Sequence, residues 1–129
     1  MIRTKSILKE ISPEDGLRIS VMSRHTLPDG ITPDPEINER SYDLWRQDLA
    51  PPGKLVGAFY RIEIGWVEYE KEYLRYLSSI SDKIRELANQ GLEQNITFLC
   101  IEAKADECHR RLLAEECKKY EPSLELLIN

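Results

Sequence analysis

The chain has 129 residues, of which 41% are hydrophobic and 32% are charged. This apolar content excludes a disordered chain, and no apolar run approaches the 18 or more residues of a membrane-spanning helix. The 18 basic and 23 acidic residues give a formal net charge of -5, which disfavours anionic membranes and general nucleic-acid binding. This length is typical of one domain, so we expect a single domain over residues 1–129. Met1 to Glu10 has no hydrophobic signal core, so we expect the domain to stay in the cytoplasm.

The first half of the chain contains two predicted strands. Ile2–Leu8 alternates apolar and polar residues, which is typical of a short strand near a sheet edge, and Leu17–Met22 alternates more cleanly and predicts a core strand. Residues 23–36 form a long loop without periodicity. Apolar residues recur at helical spacing over 38–49, and the Pro-Pro-Gly run at 51–53 predicts the end of that helix.

The second half predicts helices around a buried strand. One apolar stripe runs from Trp66 to Leu87 toward a helix C-cap at Gly91, and either one bent helix or two consecutive helices fit it. The almost wholly apolar run Ile96–Ile101 predicts a central strand buried on both faces. A last helix is predicted over Cys108–Tyr120.

Strands separated by helices predict a small three-layer α/β sandwich with a mostly parallel central sheet. Ligands of such sheets bind beyond the carboxyl ends of the strands. Loops 23–36 and 102–108 follow two predicted strands, so we expect a ligand site where these two loops meet.

The start of the last helix carries the most concentrated chemistry in the sequence. Cys108 is a candidate nucleophile there, because a helix N-terminus lowers a thiol pKa, and His109 is a candidate proton carrier. Arg110 and Arg111 oppose the helix dipole, and together with backbone N–H groups they predict a site for a phosphate or carboxylate. The alternative is structural, with Cys108 packed at the helix end and its three neighbours capping, forming ion pairs or facing solvent.

The loop after the second predicted strand carries a second pair of candidates. Arg24 is a candidate anion ligand and His25 a candidate proton carrier, because both follow the carboxyl end of a strand. The alternative is a loop histidine with one ordinary hydrogen bond. Tyr60, in the stretch between predicted helices, is a further residue that we expect within reach of the pocket.

The three cysteines favour a reducing compartment, because an odd number crowded into the last third of a chain is a poor disulfide framework. Cys100 and Cys117 fit small core residues. A zinc site would recruit Cys100, Cys108, His109 and His25, but this spacing matches no closed zinc module, and neighbouring Cys108 and His109 on a helix are expected to point in different directions. We therefore predict no metal site and no cofactor.

Several of these segments together resemble the domain of unknown function 488 family. The resemblance spans nearly the whole chain, and its most specific part is Leu99-Cys100 followed by Cys108-His109-Arg110-Arg111-Leu112, with Val21-Met22-Ser23-Arg24-His25-Thr26 resembling one branch of the family. The resemblance implies a compact prokaryotic α/β domain and brings no established reaction. It also implies that the Cys-His-Arg sequence at the helix start forms a ligand site and does not merely cap the helix.

Three functions remain open at this point. The first is an enzyme that binds a small anionic substrate, such as a nucleotide or a phosphorylated metabolite. In that case Arg24, Arg110 and Arg111 would hold the anion, and Cys108, His109 and His25 would carry the chemistry. The second is a noncatalytic module that recognises a nucleic-acid end or a protein, although the charge does not favour nucleic acid. The third is a redox or metal protein that uses its cysteines.

Overall fold

A computed structural model describes the whole chain, Met1 to Asn129. Five strands form one parallel sheet in the spatial order β3-β2-β4-β1-β5. The strands are β1 (Ile2–Ser6), β2 (Leu17–Ser20), β3 (Leu44–Trp45), β4 (Ile96–Cys100) and β5 (Leu126–Leu127). The helices are α1 (Gly53–Tyr60), α2 (Trp66–Ser79), α3 (Ser81–Glu93) and α4 (His109–Tyr120), and 3-10 turns occupy Pro13–Asp15 and Gln47–Leu49.

The middle of the sheet is β4, as its apolar sequence predicts. All five of its residues are buried, and it pairs with β1 on one side and β2 on the other. The predicted α/β class with a parallel sheet is therefore confirmed. Because β2 and β4 run in the same direction, the loops that follow them leave the sheet at the same edge.

One face of the sheet packs against the helices. The apolar residues of β1, β2 and β4 on that face join the buried residues of α2, α3 and α4 in a single cluster. The core includes Ile2, Ile19, Ile96 and Phe98 from the strands, and Tyr73, Leu77, Ile84, Leu87, Leu112, Leu113 and Cys117 from the helices. Cys117 is fully buried, as expected for a core cysteine.

The other face of the sheet is covered by irregular chain and contains a buried ion cluster. Asp15 accepts hydrogen bonds from the Arg18 guanidinium at 2.5 Å and from the Lys5 amine at 3.0 Å. The Arg18 guanidinium also donates to the backbone oxygen of Ser41. Both Asp15 and Arg18 are almost completely buried. This cluster fixes segment 38–43 over the sheet.

The helix predicted over 38–49 is wrong. Asp43 and Arg46 donate backbone hydrogen bonds to β2, so this stretch forms the edge strand β3 followed by a 3-10 turn. The Pro-Pro-Gly run does not end a helix. Pro52 is instead the N-cap of α1 and Gly53 its first residue. Proline is compatible with a helix start, because the N–H group that it lacks would have no partner within the helix there.

The long apolar stripe belongs to two helices that separate at Ile80, whose φ of -121° and ψ of 33° leave the helical region. The prediction that Gly91 caps a helix is wrong, because Gly91 lies inside α3. A Cβ there would lie 2.8 Å from the side chain of Ile2, so glycine permits α3 to pack closely on β1. No helix in this fold combines the length and the apolar character that a membrane span requires.

Candidate functional site

A cavity of about 350 Å³ opens where β2 and β4 end. The segment that follows β2 lines one side, the end of β4 with Glu102 and His109 lines another, and α1 and α2 contribute three further residues. The two loops that were expected to meet therefore share one cavity. The lining residues used below are Arg24, Asp34, Tyr60, Tyr69, Cys100, Glu102 and His109.

Two thiols, an imidazole and a carboxylate converge at the closed end of this cavity. The Sγ atoms of Cys100 and Cys108 lie 3.1 Å and 3.3 Å from the same Glu102 oxygen, Oε2. Cys100 Sγ also lies 3.9 Å from His109 Nδ1. We call these four residues the thiol cluster. Cys100 and His109 line the cavity, whereas Cys108 lies behind them, 2% exposed.

The backbone at the start of α4 explains why the side chains of Cys108 and His109, which are adjacent in the sequence, both face Cys100. Cys108 is the N-cap of α4 and has an extended backbone, with φ of -137° and ψ of 138°, whereas His109 is the first helical residue. The expectation that these two side chains point in different directions is therefore wrong, since it assumed that both residues were helical. The change of backbone conformation between them turns both side chains toward Cys100.

The ring of His109 is held by a backbone group. Its Nε2 lies 2.7 Å from the backbone oxygen of Val21, and an oxygen of this kind only accepts hydrogen bonds. Nε2 is therefore the donor, and in the neutral imidazole Nδ1 carries the lone pair that faces the sulfurs. Tyr73 packs edge-on against the ring, with the two centroids 5.5 Å apart.

The two thiols differ in acidity. Burial raises the pKa of Cys108, but hydrogen bonds from Cys100 and His109 outweigh burial and lower that pKa to about 6. The hydrogen bond to Cys108 and burial both raise the pKa of Cys100 well above its usual range. Burial lowers the pKa of His109, but the hydrogen bond to Cys108 outweighs burial, so the pKa of His109 lies above its usual value. The cluster therefore favours a Cys108 thiolate beside an imidazolium.

Glu102 is the functional residue that sequence reasoning missed. Tyr60, which was expected to reach the pocket, donates a 2.8 Å hydrogen bond to its Oε1. Burial raises the pKa of Glu102, but hydrogen bonds from Cys100 and Tyr60 outweigh burial and keep that pKa below its usual value. The available signal was position, because Glu102 follows the central parallel strand by two residues, where ligand-contacting groups concentrate.

Arg24 lies at the mouth of the cavity, as its place after β2 predicts. Its side chain is exposed and forms no ion pair. Gly30, with a φ of +75°, gives the guanidinium its space, because a Cβ there would lie 2.6 Å from Arg24 Nη1. Hydrogen bonds from Thr32 and Ile31 lower the pKa of Asp29, and the charge of Arg24 lowers it further, so the guanidinium lies within electrostatic reach of one carboxylate.

His25 is not part of the cavity. Its Nε2 lies 2.7 Å from Ser20 Oγ, and its ring stacks on Trp45 with the centroids 3.8 Å apart. Burial lowers the pKa of His25. The expected pairing of His25 with Cys108 is therefore not found, because the aromatic residues of segment 38–49 hold this imidazole against β3.

Arg110 and Arg111 do not line the cavity either. Arg110 is fully buried, and its guanidinium donates to the backbone oxygens of Glu102 and Asn129, with Nη1 3.5 Å from Cys108 Sγ. Arg111 pairs with Glu115 and packs against the Trp66 ring. The two arginines at the start of α4 therefore support the β4–α4 loop and Cys108 from outside the cavity.

The cavity consequently differs from the positively charged hollow that the sequence suggested. Its charged lining residues are one arginine, Arg24, and two acidic residues, Asp34 and Glu102. Much of the remaining wall is apolar or aromatic and includes Tyr69. A mostly uncharged wall with a few charged groups is typical of a small-molecule site.

Comparison with known proteins gives one match. A family model named DUF488-N3a, described as the active DUF488-N3 subclade, matches residues 2–121. The match includes β1 through the end of α4 and therefore every residue of the thiol cluster. No curated protein and no solved structure matches the chain.

Proposed function

The chain belongs to the DUF488-N3a family, described as the active DUF488-N3 subclade, and from this premise we propose that it is an enzyme. Its substrate is a small molecule with one anionic group, such as a nucleotide or a phosphorylated metabolite. The observation that carries the proposal is the thiol cluster at the closed end of a cavity whose mouth holds an unpaired guanidinium.

The substrate's orientation follows from the positions of the charges. Arg24 attracts the anionic group to the mouth, whereas Glu102 at the closed end repels it. An uncharged part of the substrate therefore enters first and reaches the sulfur of Cys100. The guanidinium recognises a carboxylate or phosphate through paired hydrogen bonds.

The chemistry at the closed end is nucleophilic. Cys108, the nucleophile that the sequence suggested, does not line the cavity, whereas Cys100 does. Cys100 becomes nucleophilic when its proton passes to the Cys108 thiolate, which His109 stabilises from behind. Glu102, oriented by Tyr60, has Oε2 3.1 Å from the Cys100 sulfur and 3.3 Å from the Cys108 sulfur, and it accepts a hydrogen bond from whichever sulfur carries the proton. His25, Arg110 and Arg111 have no direct role in this proposal, because none of them lines the cavity.

A thermal-shift experiment tests the anion site. We expect inorganic phosphate and AMP to raise the melting temperature of the chain, and uncharged adenosine to have a smaller effect, because a ligand that binds the folded state stabilises it by mass action. The stabilisation should be lost in Arg24→Gln. The matched control is Arg75→Gln, because Arg75 is exposed on α2 outside the cavity.

Two outcomes would contradict this function. One is an absence of stabilisation by any anion at millimolar concentration. The other is an equal stabilisation of Arg24→Gln and Arg75→Gln, which would show that the anion binds elsewhere on the chain. Turnover of the stabilising compound by the unaltered chain, and its loss in Cys100→Ser, would then identify the reaction.

A further inference from the structure

The thiol cluster has the composition and the spacing of a metal site. One ligand atom from each of Cys100, Cys108 and His109 lies within 4.8 Å of the other two. Zinc binds thiolate sulfur at about 2.3 Å and imidazole nitrogen at about 2.0 Å, so neighbouring ligands of a tetrahedral ion lie about 3.5 to 3.8 Å apart. The sulfur-to-nitrogen separation in such a site is about 3.5 Å, and the 3.9 Å between Cys100 Sγ and His109 Nδ1 would need to shorten by only a few tenths of an ångström.

The histidine is already oriented as a ligand. Metal-binding histidines almost always donate the other ring N–H to a carbonyl or a carboxylate, which fixes the ring and its lone pair. His109 Nε2 donates to the backbone oxygen of Val21, so the lone pair on Nδ1 faces the sulfurs.

The donor set selects the ion. Thiolates favour soft or borderline ions such as Zn²⁺, and two thiolates neutralise its charge in a site that is almost fully buried. Cys100 and His109 line the cavity, so an ion between them would keep one coordination position open on that side. Three protein ligands with an open fourth position are typical of reactive zinc sites rather than structural ones.

We propose that Cys100, Cys108 and His109 bind one Zn²⁺ ion, with the fourth coordination position facing the cavity. Each bound ion displaces to solvent the proton of any thiol that is still protonated and the Nδ1 proton of His109 where the ring is an imidazolium, because only thiolates and neutral imidazole coordinate zinc. The site does not depend on the proposed enzymatic activity. An ion held by both sulfurs would prevent either one from reacting with an electrophile, so the nucleophilic reaction proposed above belongs to the zinc-free chain and the zinc-bound chain is a resting form.

The test is direct binding to the reduced, metal-free chain. Co²⁺ reports thiolate ligands through sulfur-to-metal charge-transfer absorption, and competition with a chromophoric chelator gives the Zn²⁺ affinity. We expect one ion per chain. Affinity should fall by at least about 100-fold in Cys100→Ser and in Cys108→Ser. The matched control is Cys117→Ser, which removes a buried thiol from the same helix outside the cluster and should bind like the unaltered chain.

A second measurement uses the unaltered chain, so a variant that fails to fold does not weaken the test. Zn²⁺ should slow iodoacetamide labelling of Cys100 and Cys108, located by mass spectrometry, and leave Cys117 unchanged as the internal reference. An absence of thiolate-to-Co²⁺ absorption would overturn the proposal, as would equal Zn²⁺ affinity in the Cys108→Ser and Cys117→Ser variants. Arg24→Gln should retain Zn²⁺ while losing stabilisation by phosphate, so failure of the anion site and failure of the metal site give different results.

Discussion

The imidazole of His109 and the backbone oxygen of Val21 lie 2.7 Å apart, and this contact joins the start of α4 to the end of β2. It fixes the direction of the His109 ring from the side opposite to the sulfurs. The thiol cluster therefore depends on the packing of two separate elements, and not only on the sequence Cys108-His109.

The contact predicts the tautomer of His109. In the neutral imidazole the proton should reside on Nε2, because the Val21 oxygen can only accept it. The ¹⁵N chemical shifts of the histidine ring distinguish the two tautomers, and His25 supplies an internal comparison. Observation of the proton on Nδ1 of neutral His109 would contradict both the contact and the ligand geometry.

The buried ion cluster predicts a large loss of stability in Asp15→Asn. The Asp15 and Arg18 side chains are only 3% and 5% exposed, and removal of one partner leaves the other charge buried without compensation. We expect the free energy of unfolding to fall by about 3 kcal/mol. In the exposed pair of the same spacing, Arg75 with Glu72, the change Glu72→Gln should cost less than about 1 kcal/mol. Urea unfolding at neutral pH measures both, and equal losses would contradict the account.

The Asp15 carboxyl group also predicts how the free energy of unfolding depends on pH. Burial raises the pKa of Asp15, but hydrogen bonds from Ser12, Lys5 and Arg18 outweigh burial and hold it below the ordinary value of 3.8. The unfolded chain then binds a proton at higher pH than the folded chain, so the contribution is complete above pH 3.8 and is lost as the pH falls toward the folded pKa. The difference in unfolding free energy between the unaltered chain and Asp15→Asn should shrink over that range. A difference that grows on acidification would contradict the sign.

The close packing around Gly91 predicts that a larger side chain at this position destabilises the fold. The change Gly91→Ala should destabilise the fold by about 1 to 3 kcal/mol, because the added methyl group meets Ile2 and Leu124 across the contact between α3 and the sheet. The control is Gly53→Ala at the start of α1, where a Cβ meets nothing within 4 Å and should be neutral or slightly stabilising. Thermal melts of the two variants provide the comparison. A stabilising effect at Gly91 would show that α3 and β1 are not in contact there.

The sequence predicts the fold best where local pattern and burial agree. The apolar run of β4 and the amphipathic helix α4 lie where they are predicted, because a strand buried on both faces and a helix with one apolar stripe have distinct patterns. Segment 38–49 follows helical spacing and still forms a strand and a turn. There Arg18 and the backbone of β2 supply hydrogen-bond partners that no local pattern reveals.

The cavity lies where the sequence predicts a ligand site, but its lining differs from the predicted one. The rule that ligands bind beyond parallel strands points to the two loops that line this cavity, and with them to Arg24 and His109. It does not distinguish Arg24, which faces the opening, from Arg110, which is buried under the same loop. The convergence of Cys100 with Cys108 depends on an extended residue at the helix start, which the spacing of cysteines along the chain does not encode.

Alkylation rates with two reagents of similar size show whether a reactive sulfur lies behind the Arg24 guanidinium. Iodoacetate is anionic and iodoacetamide is neutral, and both are small enough for the cavity. If a reactive sulfur lies behind a guanidinium, Cys100 or Cys108 should react faster than Cys117. The iodoacetate-to-iodoacetamide rate ratio at that sulfur should then fall several-fold in Arg24→Gln and remain unchanged in Arg75→Gln. Labelling of all three cysteines at one rate, or a ratio that does not respond to Arg24→Gln, would contradict the account.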